Sequence, residues 1–179
     1  MIKNSKYFKI LNKPKNKKLR LFCFPYAGGN AAIYNEWIDK IGEDIELVAI
    51  QLTGRSERMF EDTVDNMDEL VDILYKIIST TLHEPFALFG HSMGGLIAYA
   101  LEKKIEQFSN KKAEYVVISA TKPLPNANKI KKHMMNDEDL TNVLRKHKAS
   151  PEEVLNSKEM MEMILPMIRA DYKLLETTI

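Results

Sequence analysis

Residues 86–105 read FALFGHSMGGLIAYALEKKI. Phe86 to Phe89 is a short apolar run of the kind a buried strand requires. Gly90-His91-Ser92-Met93-Gly94-Gly95 follows as a turn. Beyond it Met93, Leu96, Ile97, Ala100, Leu101 and Ile105 recur at helical spacing. Strand, G-x-S-x-G, helix is the setting in which that motif has chemical meaning. The turn is so sharp that the residues two before and two after the serine must be almost free of side chain, which Gly90 and Gly94 satisfy. Such a turn lifts the Ser92 hydroxyl above the sheet and sets it at a helix N-terminus, where partial positive charge favours a developing anion. Ser92 is the candidate nucleophile; the bland alternative is a glycine-rich turn with a chance serine.

The pattern repeats on either side. Leu19–Phe24 (LRLFCF) is an apolar strand stopped by Pro25, and Tyr26-Ala27-Gly28-Gly29-Asn30 is a loop small enough to expose its backbone N–H groups. A helix is expected over Ala31–Ile41, with Ile33, Trp37, Ile38 and Ile41 on one face. Leu47–Leu52 (LVAIQL) is a second strand. Asn66, with Glu69 three residues on, opens a helix carrying Met67, Leu70, Val71, Leu74, Ile77 and Ile78. Tyr115–Ser119 (YVVIS) is the fourth strand. Four short apolar strands alternating with helices predict an α/β fold: a mostly parallel sheet with helices on both faces. Ligands of such sheets bind at the C-terminal strand ends, where Ser92 and the Tyr26–Asn30 loop both lie. The N–H after a nucleophile and one from an earlier loop form the usual oxyanion hole, which makes Met93 and Ala27 the candidates. The early loop also reads as a plain tight turn.

After Thr121 the alternation stops at Lys122-Pro123-Leu124-Pro125-Asn126. A strand-free helical part follows, with Leu140, Val143 and Leu144 on one stripe. A helix start is expected at Ser150-Pro151-Glu152-Glu153. A helix with Met160, Met161, Met163 and Ile164 is then expected to break at Pro166 and resume through Leu175. Six of the ten methionines lie beyond Thr121, a composition that suits a surface accepting varied apolar ligands, or simply core filling. Residues 122–176 are expected to form a lid over the cleft.

Size and charge narrow the rest. At 179 residues the chain fits one domain. The division expected is a basic N-terminal arm over residues 1–18 and one domain over 19–179. The first twenty residues hold seven lysines and Arg20 with no acid, so the remainder is net acidic although the total is +1. That arm reads as a solvated extension; without interleaved aromatics it gives no case for nucleic acid. The single cysteine, Cys23, sits mid-strand as a core thiol, excludes an internal disulfide, and suits a reducing, cytoplasmic compartment. No apolar run reaches membrane-spanning length, and the start lacks the features of a secretory signal. No metal-ligand cluster, P-loop or dinucleotide fingerprint is present, so no metal and no cofactor is expected. A serine nucleophile needs a histidine base and an acid. His91 belongs to the turn, His83 precedes the third strand at the far end of the sheet, and His133 and His147 lie among lysines in the helical part. None is placed as the base.

These residues resemble the type II thioesterases of nonribosomal peptide and polyketide synthesis, the gramicidin-S-type α/β-hydrolases. The likeness rests on FCFPYAGG (22–29), QLTGR (51–55), NMDEL (66–70), PFALFGHSMGG (85–95), SPEEVL (150–155) and ILPMIRADYKLLET (164–177). It implies an α/β-hydrolase that removes stalled acyl or aminoacyl groups from the phosphopantetheine arms of acyl or peptidyl carrier proteins. It would do so through an acyl-Ser92 intermediate, with Ala27 and Met93 as oxyanion donors and no cofactor of its own. Members usually have proline where this chain has Thr53. Their catalytic Asp and His lie in a C-terminal part that matches no residue here, so the chain reads as a partial α/β-hydrolase fold, truncated before its last strands. Alone it is then expected to turn over little, since a general base contributes roughly 10²–10⁴-fold. The alternatives are a fragment that binds carrier protein or acyl chain without cleaving it, and an esterase or lipase on the same fold.

Overall fold

The structure is a computed structural model that describes residues 5–121, 131–147 and 150–177. Five strands form its sheet: β1 (Phe8–Ile10), β2 (Leu19–Phe24), β3 (Ile45–Ile50), β4 (Phe86–His91) and β5 (Tyr115–Ser119). Their spatial order is β1-β3-β2-β4-β5, with β1 antiparallel to β3 and all other pairs parallel. The α-helices described are α1 (Met67–Ile78), α2 (Met93–Phe108), α3 (Asp137–Lys146), α4 (Glu152–Leu155) and α5 (Lys158–Thr177).

Alternation along the strands builds two cores. Phe22 and Phe24 of β2, Val48 and Ile50 of β3 and Leu88 of β4 face α1 and α2, meeting Leu70, Leu74, Ile97, Leu101 and Ile105. On the opposite face Cys23, Leu47 and Ala49 pack under Tyr34, Trp37 and Ile41. Both faces of the central strands are therefore covered, as a parallel sheet requires. A third cluster joins α3, α4 and α5 through Leu140, Leu144, Leu155, Met161, Leu165 and Ile168.

Several expectations are corrected. The basic stretch is not a solvated extension throughout: Phe8 is buried in the main core, and β1 pairs Phe8 with Ile50. Its lysines are largely paired, Lys6 with Glu61, Lys17 with Glu84 and Lys18 with Asp44. The segment after the early loop is a helix of the 3₁₀ type that ends at Trp37 rather than at Ile41, and Asn30 caps it by accepting from the Ala32 N–H. β3 begins two residues early because Ile45 and Glu46 continue the register against Leu19 and Arg20. The helix opened by Asn66 forms as expected, its side chain accepting from the Glu69 N–H at 3.0 Å. Ser150 is not a helix cap, since α4 is one turn long and starts after Pro151. Pro166 does not interrupt α5, which runs unbroken from Lys158 to Thr177. The proline removes one N–H from the ladder, but Leu165, Met167 and Ile168 around it are buried and hold the helix. The lid expected over 122–176 falls in part on residues 122–130 and 148–149, outside the described residues.

The fourth strand of the sequence pattern, β5, is exposed at Tyr115, Val116, Val117 and Ile118. It lies at one edge of the sheet in this structure, and an exposed apolar edge is a template for association. The 20.6 kDa chain is expected to elute in light-scattering chromatography as a concentration-dependent oligomer, and Val117→Lys to shift it toward monomer. A sharp monomer peak at every concentration would contradict this. Cys23 is fully buried, and burial pushes its thiol far above the usual range. Its alkylation is expected only as fast as the fold opens, and rapid modification of the native chain would count against the described core.

Candidate active site

Ser92 stands where β4 ends and α2 begins, with φ 53° and ψ −114°. That is a conformation L-residues adopt only when the surroundings impose it. The glycines show how tightly the turn is wound. A Cβ on Gly90 would lie 2.0 Å from the Gly94 carbonyl oxygen, and one on Gly94 would lie 2.1 Å from that of Phe24. A Cβ on Gly95 would lie 2.3 Å from Thr121 Oγ1. At Gly90 and Gly94 the obstacles are backbone atoms and no side chain fits; at Gly95 they are the side chains of Thr121 and Ile118, which would have to move.

The elbow is tied down from β5. The Ser92 N–H donates to the Ser119 carbonyl at 2.8 Å, and Thr121 Oγ1 donates to the Ser92 carbonyl at 2.8 Å. His91 Nδ1 lies 3.1 Å from Ser119 Oγ, which gives this histidine a structural partner beside Ser92. Met93 is the first residue of α2, so its N–H has no carbonyl one turn behind it within the helix.

The second candidate donor comes from the loop after β2. The approach of Gly94 to the Phe24 and Pro25 carbonyls places the elbow directly against the start of that loop, and the Tyr26 and His91 rings meet edge-on at 5.9 Å. Within the loop the Gly29 N–H donates to the Tyr26 carbonyl at 2.9 Å, and the Gly28 N–H donates to Asp171 Oδ2 at 2.7 Å. Among the described residues nothing accepts from the Ala27 N–H. Ser92, Met93 and the Ala27 loop are thus brought to one end of the sheet.

The histidines divide as follows. His133 Nδ1 contacts Glu176 Oε2 at 2.6 Å, tying the turn before α3 to the end of α5. His83 and His147 are exposed. Among the described residues no side chain hydrogen-bonds the Ser92 hydroxyl. The described residues contain no group of three or more His, Cys, Asp or Glu side chains able to hold a metal ion.

Sequence reasoning missed two elements of the site. One is the pair Ser119 and Thr121, hidden because a strand end carries no periodic signal. The other is a buried ion pair: Arg55 and Asp171 are 5% and 1% exposed and meet through two hydrogen bonds of 2.9 and 2.7 Å. A signal for it exists, since Asp171 falls in the apolar stripe Met161, Leu165, Ile168, Leu174 of α5.

The chain matches the thioesterase domain family over residues 19–179. It belongs to that family. The thioesterase-domain chain is 39% identical over 170 residues to the gramicidin S biosynthesis protein GrsT of Aneurinibacillus migulanus, covering 94% of this chain and 66% of GrsT. Among solved structures it superposes on the type II thioesterase BorB of the borrelidin cluster with a TM-score of 0.82 and 31% identity, covering 96% of this chain and 70% of BorB. The RedJ thioesterase of the prodiginine pathway in Streptomyces coelicolor gives 0.80 and 28%, with 94% and 68% covered. The thioesterase-domain chain therefore spans about two-thirds of the length of these relatives. The α/β architecture expected from the strand–helix alternation, and the α/β-hydrolase fold implied by the family resemblance, agree with these superpositions. No described helix is long and apolar enough to cross a membrane.

Proposed function

We propose that this protein is a type II thioesterase acting on acyl or aminoacyl groups held on the phosphopantetheine arm of a carrier protein. The observation that carries the reading is the strained turn at Ser92, wedged between two glycines and the end of β2. The family match and the names of the relatives support the substrate class. In this reading the Ser92 oxygen attacks the thioester carbonyl, the N–H groups of Met93 and Ala27 hold the oxyanion, and the thiol of the arm leaves with a proton. Water then releases the acid from the acyl-serine. The arm and its thiol belong to the carrier, so the chain supplies no cofactor of its own. The cluster of α3, α4 and α5 would serve as the lid, its exposed Met134, Met160 and Met163 offering adaptable apolar contact.

The test compares carrier-bound acyl thioester with a free oxygen ester of the same acyl chain. Faster release from the carrier, lost in Ser92→Ala, is expected. Equal or faster hydrolysis of the free ester would move the assignment to an esterase. A second reading has one observation in its favour, the absence of a hydrogen bond to the Ser92 hydroxyl among the described residues: the cleft holds the loaded arm without cleaving it. Capture of loaded carrier that is unchanged by Ser92→Ala, with no acyl release, would select that reading.

A further inference from the structure

The loop that carries Ala27 has little to fix it from within. Gly28 is in the left-handed region at φ +80°, and its small neighbours allow many conformations. Its geometry is imposed from two distant parts of the chain. From the segment after β3, Arg55 donates through Nη1 to the Gly29 carbonyl at 3.0 Å and through Nε to the Thr53 carbonyl at 3.1 Å. From α5, Asp171 accepts the Gly28 N–H at 2.7 Å. The two side chains then close on each other, Arg55 Nη1 and Nη2 reaching Asp171 Oδ2 and Oδ1. Gln51 adds a further tie, accepting from the Ala31 N–H at 2.9 Å and donating to the Arg55 carbonyl at 3.2 Å. Packing agrees: a Cβ on Gly28 would stand 2.9 Å from Ile168 Cδ1 of the same α5.

A buried ion pair is weak evidence for stability, because well-packed apolar side chains of similar volume often serve as well or better. What this pair does that an apolar pair cannot is engage one amide and one carbonyl of the loop at once. We propose that Arg55 and Asp171 are positioning residues that hold the Gly28 N–H and the Gly29 carbonyl, and so aim the Ala27 N–H toward the oxyanion above Ser92. Asp171 sits on α5, whose other buried residues Met161, Leu165 and Ile168 build the core shared with α3 and α4. The docking of that helical layer is therefore registered in the geometry of the oxyanion loop. The inference rests on the acyl-transfer reading of Ser92 for its catalytic half and on the hydrogen bonds alone for its structural half.

Two variants of the full chain separate the roles. Asp171→Asn keeps an acceptor for the Gly28 N–H but discharges the pair. Arg55→Met with Asp171→Leu replaces the pair by apolar volume and keeps a folded protein available if the single variant unfolds. Three readouts are taken: the unfolding midpoint, hydrogen exchange at the Gly28 amide, and kcat and KM for acyl release from a loaded carrier. The double variant is expected to unfold within a few degrees of the native chain, yet exchange the Gly28 amide at least about tenfold faster. Its kcat is expected to fall by roughly 10²-fold, the cost of one misplaced oxyanion donor, with KM nearly unchanged. Unaltered exchange at the Gly28 amide would overturn the positioning role, and so would a double variant that recovers kcat together with its midpoint. If Ser92→Ala leaves acyl release intact, the acyl-transfer reading fails by itself, and the exchange measurement still decides whether the pair holds the loop.

Discussion

Gly94→Ala is expected to be among the most damaging single substitutions in this chain. The added methyl would stand 2.1 Å from the Phe24 carbonyl oxygen and 2.5 Å from the Phe24 carbonyl carbon. Both are backbone atoms of the last residue of β2, which pairs with Gly90 of β4 and whose carbonyl accepts from the Tyr34 hydroxyl at 2.6 Å, so neither can step aside without disturbing these contacts. Small-to-large changes in packed interiors cost about 1–3 kcal/mol and sometimes more, and a backbone obstacle places this one at the upper end or beyond. A chemical denaturation curve read by tryptophan fluorescence checks it, since Trp37 packs on Phe89 of β4 at 4.8 Å. A midpoint within error of the native chain would mean that the elbow is not wound as described.

At Ser92 itself the expected effects on stability and activity run in opposite directions. Ser92→Ala removes the hydroxyl but keeps the positive φ, so its midpoint should match the native chain while acyl release from a loaded carrier falls by about 10²-fold or more, the scale on which removal of a reacting group is felt. Ser92→Gly should be equally inactive but more stable. Strained non-glycine conformations cost about 1–3 kcal/mol, and the extra chain entropy of glycine offsets only about 0.5–1 kcal/mol of that. A gain of roughly 1 kcal/mol for the glycine variant, with none for alanine, would locate stored strain at Ser92. Loss of stability in both would contradict a strained elbow.

The parts of this molecule that are legible in sequence are those where local pattern and tertiary demand agree. Leu19–Phe24 and Tyr115–Ser119 begin and end where their apolar runs do, because those runs are bounded by charges, Pro25 or small polar residues. The elbow is legible because its sterics admit almost nothing but glycine at two fixed offsets from Ser92. What escaped has a common cause. β1 is three residues among lysines, too short for any period, and exists only because β3 offers an edge to pair with. Pro166 falls where propensity forbids a continuous helix, yet the buried neighbours Leu165, Met167 and Ile168 override it. The Arg55–Asp171 pair joins residues 116 apart in sequence, and no local pattern connects such partners. An acid in the apolar stripe of α5 was the trace it left.

The central claim is that an acyl group passes from a thioester to Ser92. The most direct test is to incubate the chain with a carrier protein loaded through its phosphopantetheine arm, quench, digest and read the mass of the peptide that contains Ser92. An increment equal to the acyl group on that residue, absent in Ser92→Ala, is the predicted result. Acyl release with no adduct at Ser92, proceeding equally in Ser92→Ala, would contradict the account.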